Sequence, residues 1–248
     1  MSLLSPDIRV ALLPGRAGVA ARGRAPLTRE SAGGGLQALD ELLGDAKLGG
    51  RARVTLSHHH ARLFLLPAPT VWLRQAEMRP WLAAQLAPAL GGGAAGEWRF
   101  AWDLTPPGQP ILVAALEARM LDDLGALLAR RGLALAGARP WLAAAWNRRR
   151  QLAGATGWYA LLEPGRITLL RLERGRPRLL RQRQAGEGDP AGELRALLAR
   201  ESLMEGIAEG GNLWLERAGV ASDWVGLGGS HSVHELAGPA DPALALLQ

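Results

Sequence analysis

The first stretch of the chain has the apolar spacing of two strands followed by a helix. Apolar residues fill most of 8–13 and 16–22, and Pro14-Gly15 lies between them, so we expect a β-hairpin with a Pro-Gly turn. Over 36–43 the apolar residues recur at helical spacing, which predicts a helix. Gly44 is placed to end that helix.

The pattern up to residue 150 continues to alternate between strands and helices. The predicted elements are strands at 51–56 and 62–66, a helical stretch at 74–90, a strand at 97–103, a βαβ-like passage of 111–115, 117–131 and 133–138, and a helix at 140–148. We expect the first two of these strands to pair across a turn at 57–60. Pro80 and Pro88 are expected to break the helical stretch.

Beyond residue 157 the pattern changes to three consecutive strands, at 158–162, 166–173 and 177–183. A helix follows, for which Asp189 is the expected N-cap and Pro190 the first residue. One more strand is expected at 212–216. Residues 218–248 are rich in Gly and Pro, and whether they complete the second half or form a separate, loosely ordered tail stays open. The change of pattern at 151–157 predicts two domains, 1–150 and 151–248.

Composition agrees with an α/β chain. The 248 residues are 48% hydrophobic and include 32 Gly and 16 Pro, which suits short elements in frequent alternation. The chain has no Cys, which excludes disulfides, thiol catalysis and Cys-ligated metal sites. We found no apolar run long enough to span a membrane and no signal peptide, so we expect a cytoplasmic protein.

The positive charge of the chain is compatible with nucleic-acid binding, but the composition gives another explanation for it. The formal net charge is +6, and Lys47 is the only lysine among 29 basic residues. Such a bias toward Arg, together with abundant Ala, Gly, Leu and Pro, is typical of a GC-rich coding sequence, so we expect no nucleic-acid partner. Arg148, Arg149 and Arg150 could contact nucleic acid or phospholipid, but we expect them to complement the end of a helix and to face water.

Three stretches of the chain resemble a known family. They are Val54-Thr-Leu-Ser57 through Arg62-Leu-Phe-Leu-Leu-Pro67, Ile111-Leu-Val-Ala-Ala115 through Arg131-Gly-Leu133, and Trp158-Tyr-Ala-Leu-Leu-Glu163-Pro-Gly165 through Arg183. They resemble the cytoplasmic actin-like proteins of type IV pilus and type II secretion assembly, namely the PilM family, including its MSHA-type members, and the cytoplasmic part of GspL. The resemblance implies a duplicated α/β fold of the actin-like ATPase (ribonuclease H-like) type, in which two related halves face a nucleotide cleft.

In an actin-like ATPase, the turn after the first strand of each half approaches phosphate and magnesium. The first such turn here is Leu12-Leu-Pro-Gly15-Arg16, which has no carboxylate or hydroxyl group. The second is Leu162-Glu163-Pro-Gly165-Arg166, which keeps one carboxylate. Proline removes a backbone donor from each turn. We expect two hairpin turns and, at most, a vestigial nucleotide site formed by Gly15, Arg16, Glu163, Gly165 and Arg166; nucleotide binding without hydrolysis stays open.

Other candidate sites are weaker. Two imidazoles from His58-His59-His60 do not make a metal site without further ligands, and we expect an exposed turn there. His231 and His234 lie in a Gly-rich tail, and Gly228-Gly-Ser230-His231 lacks the flanking pattern of a nucleophile elbow. We expect most of the nine Trp to be core residues, and some of them to line a groove for a partner peptide.

These observations lead to a functional hypothesis. We expect a pseudo-ATPase with no metal and no cofactor, which acts as a scaffold at the inner face of the inner membrane. The resemblance implies that its partner is the cytoplasmic segment of an inner-membrane PilN-like protein, so that membrane association is indirect. Homodimerisation stays open. The alternative is a divergent actin-like ATPase or sugar kinase.

Overall fold

The structure is a computed structural model, and it describes residues 8–46, 48–91, 94–103, 106, 108–149, 152–186, 188–206, 210–220, 227, 231–236 and 238–248. Contacts between residues divide the chain into two units, Met1–Pro140 and Trp141–Gln248. The division falls before the helix at 141–148, which the sequence pattern assigns to the first domain.

The first unit contains a five-stranded mixed sheet. Its strands are β1 (Ile8–Leu13), β2 (Arg16–Ala21), β3 (Leu27–Glu30), β4 (Gly50–Leu56) and β8 (Leu133–Pro140), in the order β3-β2-β1-β4-β8. The first three strands are antiparallel, whereas β4 pairs parallel with both β1 and β8. Helices α1 (Gly35–Ala46) and α4 (Ala118–Arg130) contribute buried leucines to the same core as the sheet, because each has one apolar face.

A second, smaller sheet is inserted in the first unit between β4 and α4. It comprises β5 (Ala61–Leu66), β6 (Trp98–Trp102) and β7 (Ile111–Glu117), in the order β5-β7-β6. Helix α2 (Gln75–Leu90) packs on it through Met78, Leu82, Leu86 and Leu90, and the short helix α3 (Ala94–Glu97) precedes β6. All the strand pairs of this sheet are antiparallel.

The second unit repeats the strand order of the first. Its elements are α5 (Trp141–Arg148), β9 (Gly157–Glu163), β10 (Arg166–Glu173), β11 (Arg176–Gln184), α6 (Pro190–Met204), β12 (Gly211–Arg217), β13 (His231–Leu236) and α7 (Pro242–Leu247). The sheet order is β11-β10-β9-β12-β13, with three antiparallel strands followed by two parallel ones. Residues 8–30 and 157–184 therefore form equivalent three-stranded meanders. The sequence predicted all three strands of the second meander but only the first two of the first, because β3 is short and mostly exposed.

Backbone hydrogen bonds confirm this equivalence. The amide of Ser57, just after β4, donates to the carbonyl of Leu12 at 2.9 Å, and the amide of Ala218, just after β12, donates to that of Leu162 at 2.8 Å. Each hairpin turn is also bonded to the residue after its third strand. These bonds run from Ser31 N to Gly15 O at 2.8 Å and from Ala185 N to Gly165 O at 3.0 Å.

Several details of the predicted topology are wrong. The strands at 50–56 and 61–66 do not pair with each other, because β4 lies between β1 and β8 whereas β5 pairs with β7. For the same reason the βαβ-like passage is not a unit of one sheet, since β7 and β8 belong to different sheets. Strand order depends on contacts between residues far apart in sequence, and a local pattern does not contain them.

Helix boundaries also differ from the predictions. Gly44 does not end α1, which continues to Ala46. Helix α2 passes through Pro80 and Pro88, since its apolar face packs against the small sheet. The sequence left the place of residues 218–248 open; where the structure describes them they complete the second unit, because β13 is the last strand of the second sheet and α7 buries most of its side chains. Among the described residues, no helix has the length and apolarity needed to span a membrane.

Candidate functional site

Both turns singled out by the sequence are two-residue hairpin turns. In the first, Leu13 pairs with Arg16, and Gly15 has a φ of +68°. In the second, Glu163 pairs with Arg166, and Gly165 has a φ of +73°. Proline precedes a glycine in the left-handed region in both, a combination that closes a tight turn without strain. The prediction of two ordinary hairpin turns is confirmed.

The polar side chains at the two turns differ. Arg16 forms an ion pair with Glu30 on β3, so its guanidinium is engaged within the first unit. Glu163 is only 2% exposed, whereas its equivalent in the first turn is the buried Leu13. Nε of Arg166 is inaccessible to solvent and has no hydrogen-bond partner among the described residues. The five predicted residues are thus divided between the two units, and their joint role in a vestigial nucleotide site stays a prediction.

The histidines are placed more firmly than the sequence suggested. His58 is 1% exposed, so the expected exposed turn at 57–60 is wrong for this residue. His234 lies on β13, stacks on Trp214 and contacts Oδ1 of Asn212 at 2.9 Å, while His231 is buried. Within the described ranges no group of three or more His, Cys, Asp or Glu could hold a metal ion. Gly228, Gly229 and Ser230 lie outside the described residues.

A polar cluster in the second unit corrects the interpretation of the basic run. Glu216 on β12 is 3% exposed and accepts hydrogen bonds from Arg148 at 2.9 Å, Arg149 at 3.0 Å and the Tyr159 hydroxyl at 2.9 Å. The two arginines therefore compensate a buried carboxylate and do not face water as expected; Arg150 lies outside the described residues. Burial and the Glu216 charge raise the pKa of Tyr159, so its hydroxyl stays protonated and donates.

Trp146 packs near Tyr159, with ring centroids 6.1 Å apart. Together with the Glu216 cluster, this contact fixes α5 on the sheet of the second unit. The helix thus belongs to the second unit, and the polar cluster stabilises its packing on the sheet. No carboxylate–arginine cluster of this kind could have been inferred from the sequence, because Glu216 lies far along the chain from both arginines.

An open groove with a volume of about 700 Å³ lies at the small sheet of the first unit. One wall is the segment 68–74 with the start of α2, and the other is formed by the end of β6, the start of β7 and described residues of the connection between these strands. Trp72, which is 79% exposed, and Val71 extend along it, while Trp102 is half-buried. We call this cavity the aromatic groove. The sequence predicted most Trp residues in the core and some at a groove, and Trp72 is one that lines a groove.

The charges of the aromatic groove are few. Arg74 and Asp103 are the two ionisable residues that line it. Asp103 is exposed at the surface, but neighbouring atoms desolvate its carboxyl group in part and raise its pKa. The groove entrance is fixed by α2, whose residue Glu77 accepts a hydrogen bond from the Arg74 amide at 2.6 Å. A mainly apolar groove with exposed Trp suits a peptide side chain better than phosphate or a metal ion.

Comparisons with known proteins identify the fold. No family model matches the chain, and no curated protein matches it in sequence. The cytoplasmic domain of EpsL, an inner-membrane component of the type II secretion system of Vibrio cholerae, is similar with a TM-score of 0.60 and 14% identity, over 98% of this chain and 93% of that one. A chain of the PilM–PilN type IV pilus biogenesis complex is similar with a TM-score of 0.64 and 13% identity, over 86% and 81% of the two chains.

A protein of unknown function with an actin-like ATPase fold, from Bacteroides thetaiotaomicron, is also similar. Its TM-score is 0.60 and its identity 8%, over 92% of this chain and 90% of that one. These likenesses, together with the repeated strand order, show that the chain has the duplicated actin-like fold. The resemblance to PilM- and GspL-type proteins stated from three stretches of sequence is confirmed at the level of fold.

Proposed function

We propose that the chain is a non-catalytic cytoplasmic scaffold in type IV pilus or type II secretion assembly, and that it binds the cytoplasmic segment of an inner-membrane PilN-like protein. The aromatic groove carries the proposal, because Trp72 is held in the open at its rim. Exposed Trp beside an apolar groove is typical of anchor positions at protein interfaces. Likeness in fold to EpsL and to a chain of the PilM–PilN complex supports the choice of assembly systems.

The same proposal makes the chain a pseudo-ATPase without a cofactor. Phosphoryl transfer needs several groups that position metal and neutralise charge. In the two hairpin turns Pro14 and Pro164 cannot donate a backbone hydrogen bond, and Arg16 is already paired with Glu30. Glu163 is buried, so it is poorly placed to hold hydrated magnesium. The alternative, a divergent actin-like ATPase or sugar kinase, is favoured by the fold alone.

The partner would bring the scaffold to the inner face of the inner membrane, so that membrane association is indirect. Because Arg148 and Arg149 both pair with the buried Glu216, neither guanidinium is a free cation for nucleic acid. We therefore propose a protein partner and not a nucleic acid. Homodimerisation stays a prediction, which light scattering on the purified chain would test.

Calorimetric titration tests the proposal, with the cytoplasmic segment of the inner-membrane protein encoded beside this chain as ligand. We expect saturable binding to the wild type, and roughly tenfold or greater weakening by Trp72→Ala because the variant removes an exposed anchor. Leu203→Ala is the matched control, since Leu203 is 83% exposed in the other unit and should leave the affinity unchanged. Absence of binding by the wild type, or turnover of magnesium-ATP, would overturn the proposal.

A further inference from the structure

Strand β6 has an open edge. It is the last strand of the small sheet, paired on one side with β7 and with no described strand on the other. The amide of Asp103, just after β6, donates to the carbonyl of Leu112 on β7 at 3.1 Å. Every second residue counted back from Asp103 along β6 therefore also directs its backbone N–H and C=O toward β7. The backbone groups of Phe100 and Trp102 must therefore point outward, and no described residue bonds to them there. Such an edge is a template for another strand.

Depressions flank this edge at both of its ends. The aromatic groove lies beside Trp102. Near the start of the strand, a smaller cavity of about 250 Å³ lies between α2 and β6, and we call it the arginine pocket. Its lining residues are Arg79, Pro80, Ala83, Trp98, Arg99 and Phe100. Side chains of an added strand that pointed toward α2 would meet first one depression and then the other.

The arginine pocket is positively charged and lacks a carboxylate among its lining residues. Arg79 is exposed and forms no ion pair with the described part of the chain. Arg99 also lines the pocket, but Trp98 and Phe100 on either side of it face the core beneath α2, so its side chain leaves the strand on the opposite face. An exposed arginine beside a small cavity with aromatic walls suits a carboxylate, which can accept hydrogen bonds from the guanidinium of Arg79.

The two depressions also set a spacing. Residues 98 to 102 of β6 extend about 13 Å at the usual rise per residue of a strand. An added strand alternates its side chains, so residues on its face toward α2 are an even number of positions apart. An acidic residue in the arginine pocket and a large apolar residue in the aromatic groove would thus be about four positions apart.

We propose that the outer edge of β6 receives an extended acidic segment of the partner protein as a fourth strand of the small sheet. Its backbone bonds to Phe100 and Trp102, its carboxylate side chain pairs with Arg79, and its apolar side chain fills the aromatic groove. Main-chain bonds supply affinity in this mode of recognition, and the flanking pockets supply specificity. The inference rests on the proposed function, since it names the chemistry of the segment that the scaffold binds.

The test uses the full chain and the same cytoplasmic segment as the titration above. The variant Arg79→Glu should bind roughly tenfold or more weakly, because it replaces an attractive contact with a repulsive one. Arg22→Glu is the matched control, with the same change in net charge at an exposed position of the same unit. Circular dichroism checks that both variants are folded.

Hydrogen exchange of backbone amides is a second measurement, and a general charge effect would not change its result. The amides of Phe100 and Trp102 should exchange quickly in the free chain and become protected when the segment is bound. If the segment binds while these amides stay unprotected and the charge reversal has no effect, this inference is wrong and the scaffold function stands. If the wild type does not bind the segment, both fail. Concentration-dependent dimerisation that protects the same amides without the segment would also overturn it, in favour of a second copy of the chain.

Discussion

Removing the charge of Glu216 should destabilise the second unit strongly. Glu216→Gln keeps the size of the side chain, but an amide presents one acceptor where the carboxylate presents two. In the wild type Arg148 donates to Oε1, whereas Arg149 and Tyr159 donate to Oε2. The amide nitrogen of Gln must replace one of these oxygens, so it faces donors in either orientation. The variant therefore loses at least one charge-assisted hydrogen bond and leaves two guanidinium groups without a counter-charge.

The magnitude follows from the burial of the three charged groups. Breaking a fully buried ion pair by removing one partner costs about 3 to 5 kcal/mol. Glu216 is 3% exposed, but the side chains of Arg148 and Arg149 are 23% and 16% exposed and retain some hydration. We therefore expect a loss of about 2 to 4 kcal/mol in the free energy of unfolding.

Urea unfolding followed by far-ultraviolet circular dichroism and tryptophan fluorescence measures this loss. The matched control is Glu235→Gln on the neighbouring strand β13, where Glu235 pairs with Arg217 at 2.6 Å. The side chains of that pair are 47% and 35% exposed, so the control should cost no more than about 1 kcal/mol. If Glu216→Gln is no more destabilising than Glu235→Gln, the view of this cluster as a buried, mutually compensated network is refuted.

Three further outcomes are expected. Neither the wild type nor Glu163→Gln should release phosphate from magnesium-ATP in a malachite-green assay, whereas robust hydrolysis abolished by that change would identify a divergent active site. Gly35→Ala should lower the midpoint temperature of thermal unfolding, because the new Cβ would lie 2.1 Å from a backbone carbonyl oxygen of the first hairpin. Gly125→Ala in α4 is the control: its new Cβ meets no atom within 4 Å, so the change should stabilise the helix by about 0.5 to 1 kcal/mol and raise the midpoint. A hydrogen bond from Arg131 lowers the pKa of Asp40, so its stabilising contribution is present at neutral pH and lost in acid; unfolding curves of Asp40→Asn and wild type should converge as the pH falls below 3.8, and a constant difference would contradict this.

The sequence predicted what depends on neighbouring residues. Pro-Gly closes both hairpins, and Asp189 caps α6 by accepting from the amide of Gly192 at 2.8 Å, as the local pattern indicated. Local pattern also located almost every strand. The resemblance then supplied the duplicated fold, which periodicity alone would not have specified.

What the sequence missed depends on distant residues. The insertion of a separate small sheet after β4 follows from pairing between β5 and β7, which are far apart in the chain. The role of Arg148 and Arg149 depends on Glu216, and their long separation from it leaves no periodic signal. The exposure of Trp72 likewise depends on how the segment before α2 lies against the small sheet, so a hydrophobic residue typical of cores lies at the surface.

The backbone hydrogen bonds that join each hairpin to the residues just after the neighbouring strands, which we call tethers, affect how far the sequence of this fold can diverge. They are bonds between main-chain atoms, so they do not depend on which side chain occupies a position: serine stands at 57 and at 31, and alanine stands at the equivalent positions 218 and 185. Substitutions that erase a recognisable motif at these points leave the tethers in place. The backbone fold is therefore retained longer than the sequence, and relatives of such a chain are found more readily by comparing structures than by comparing sequences.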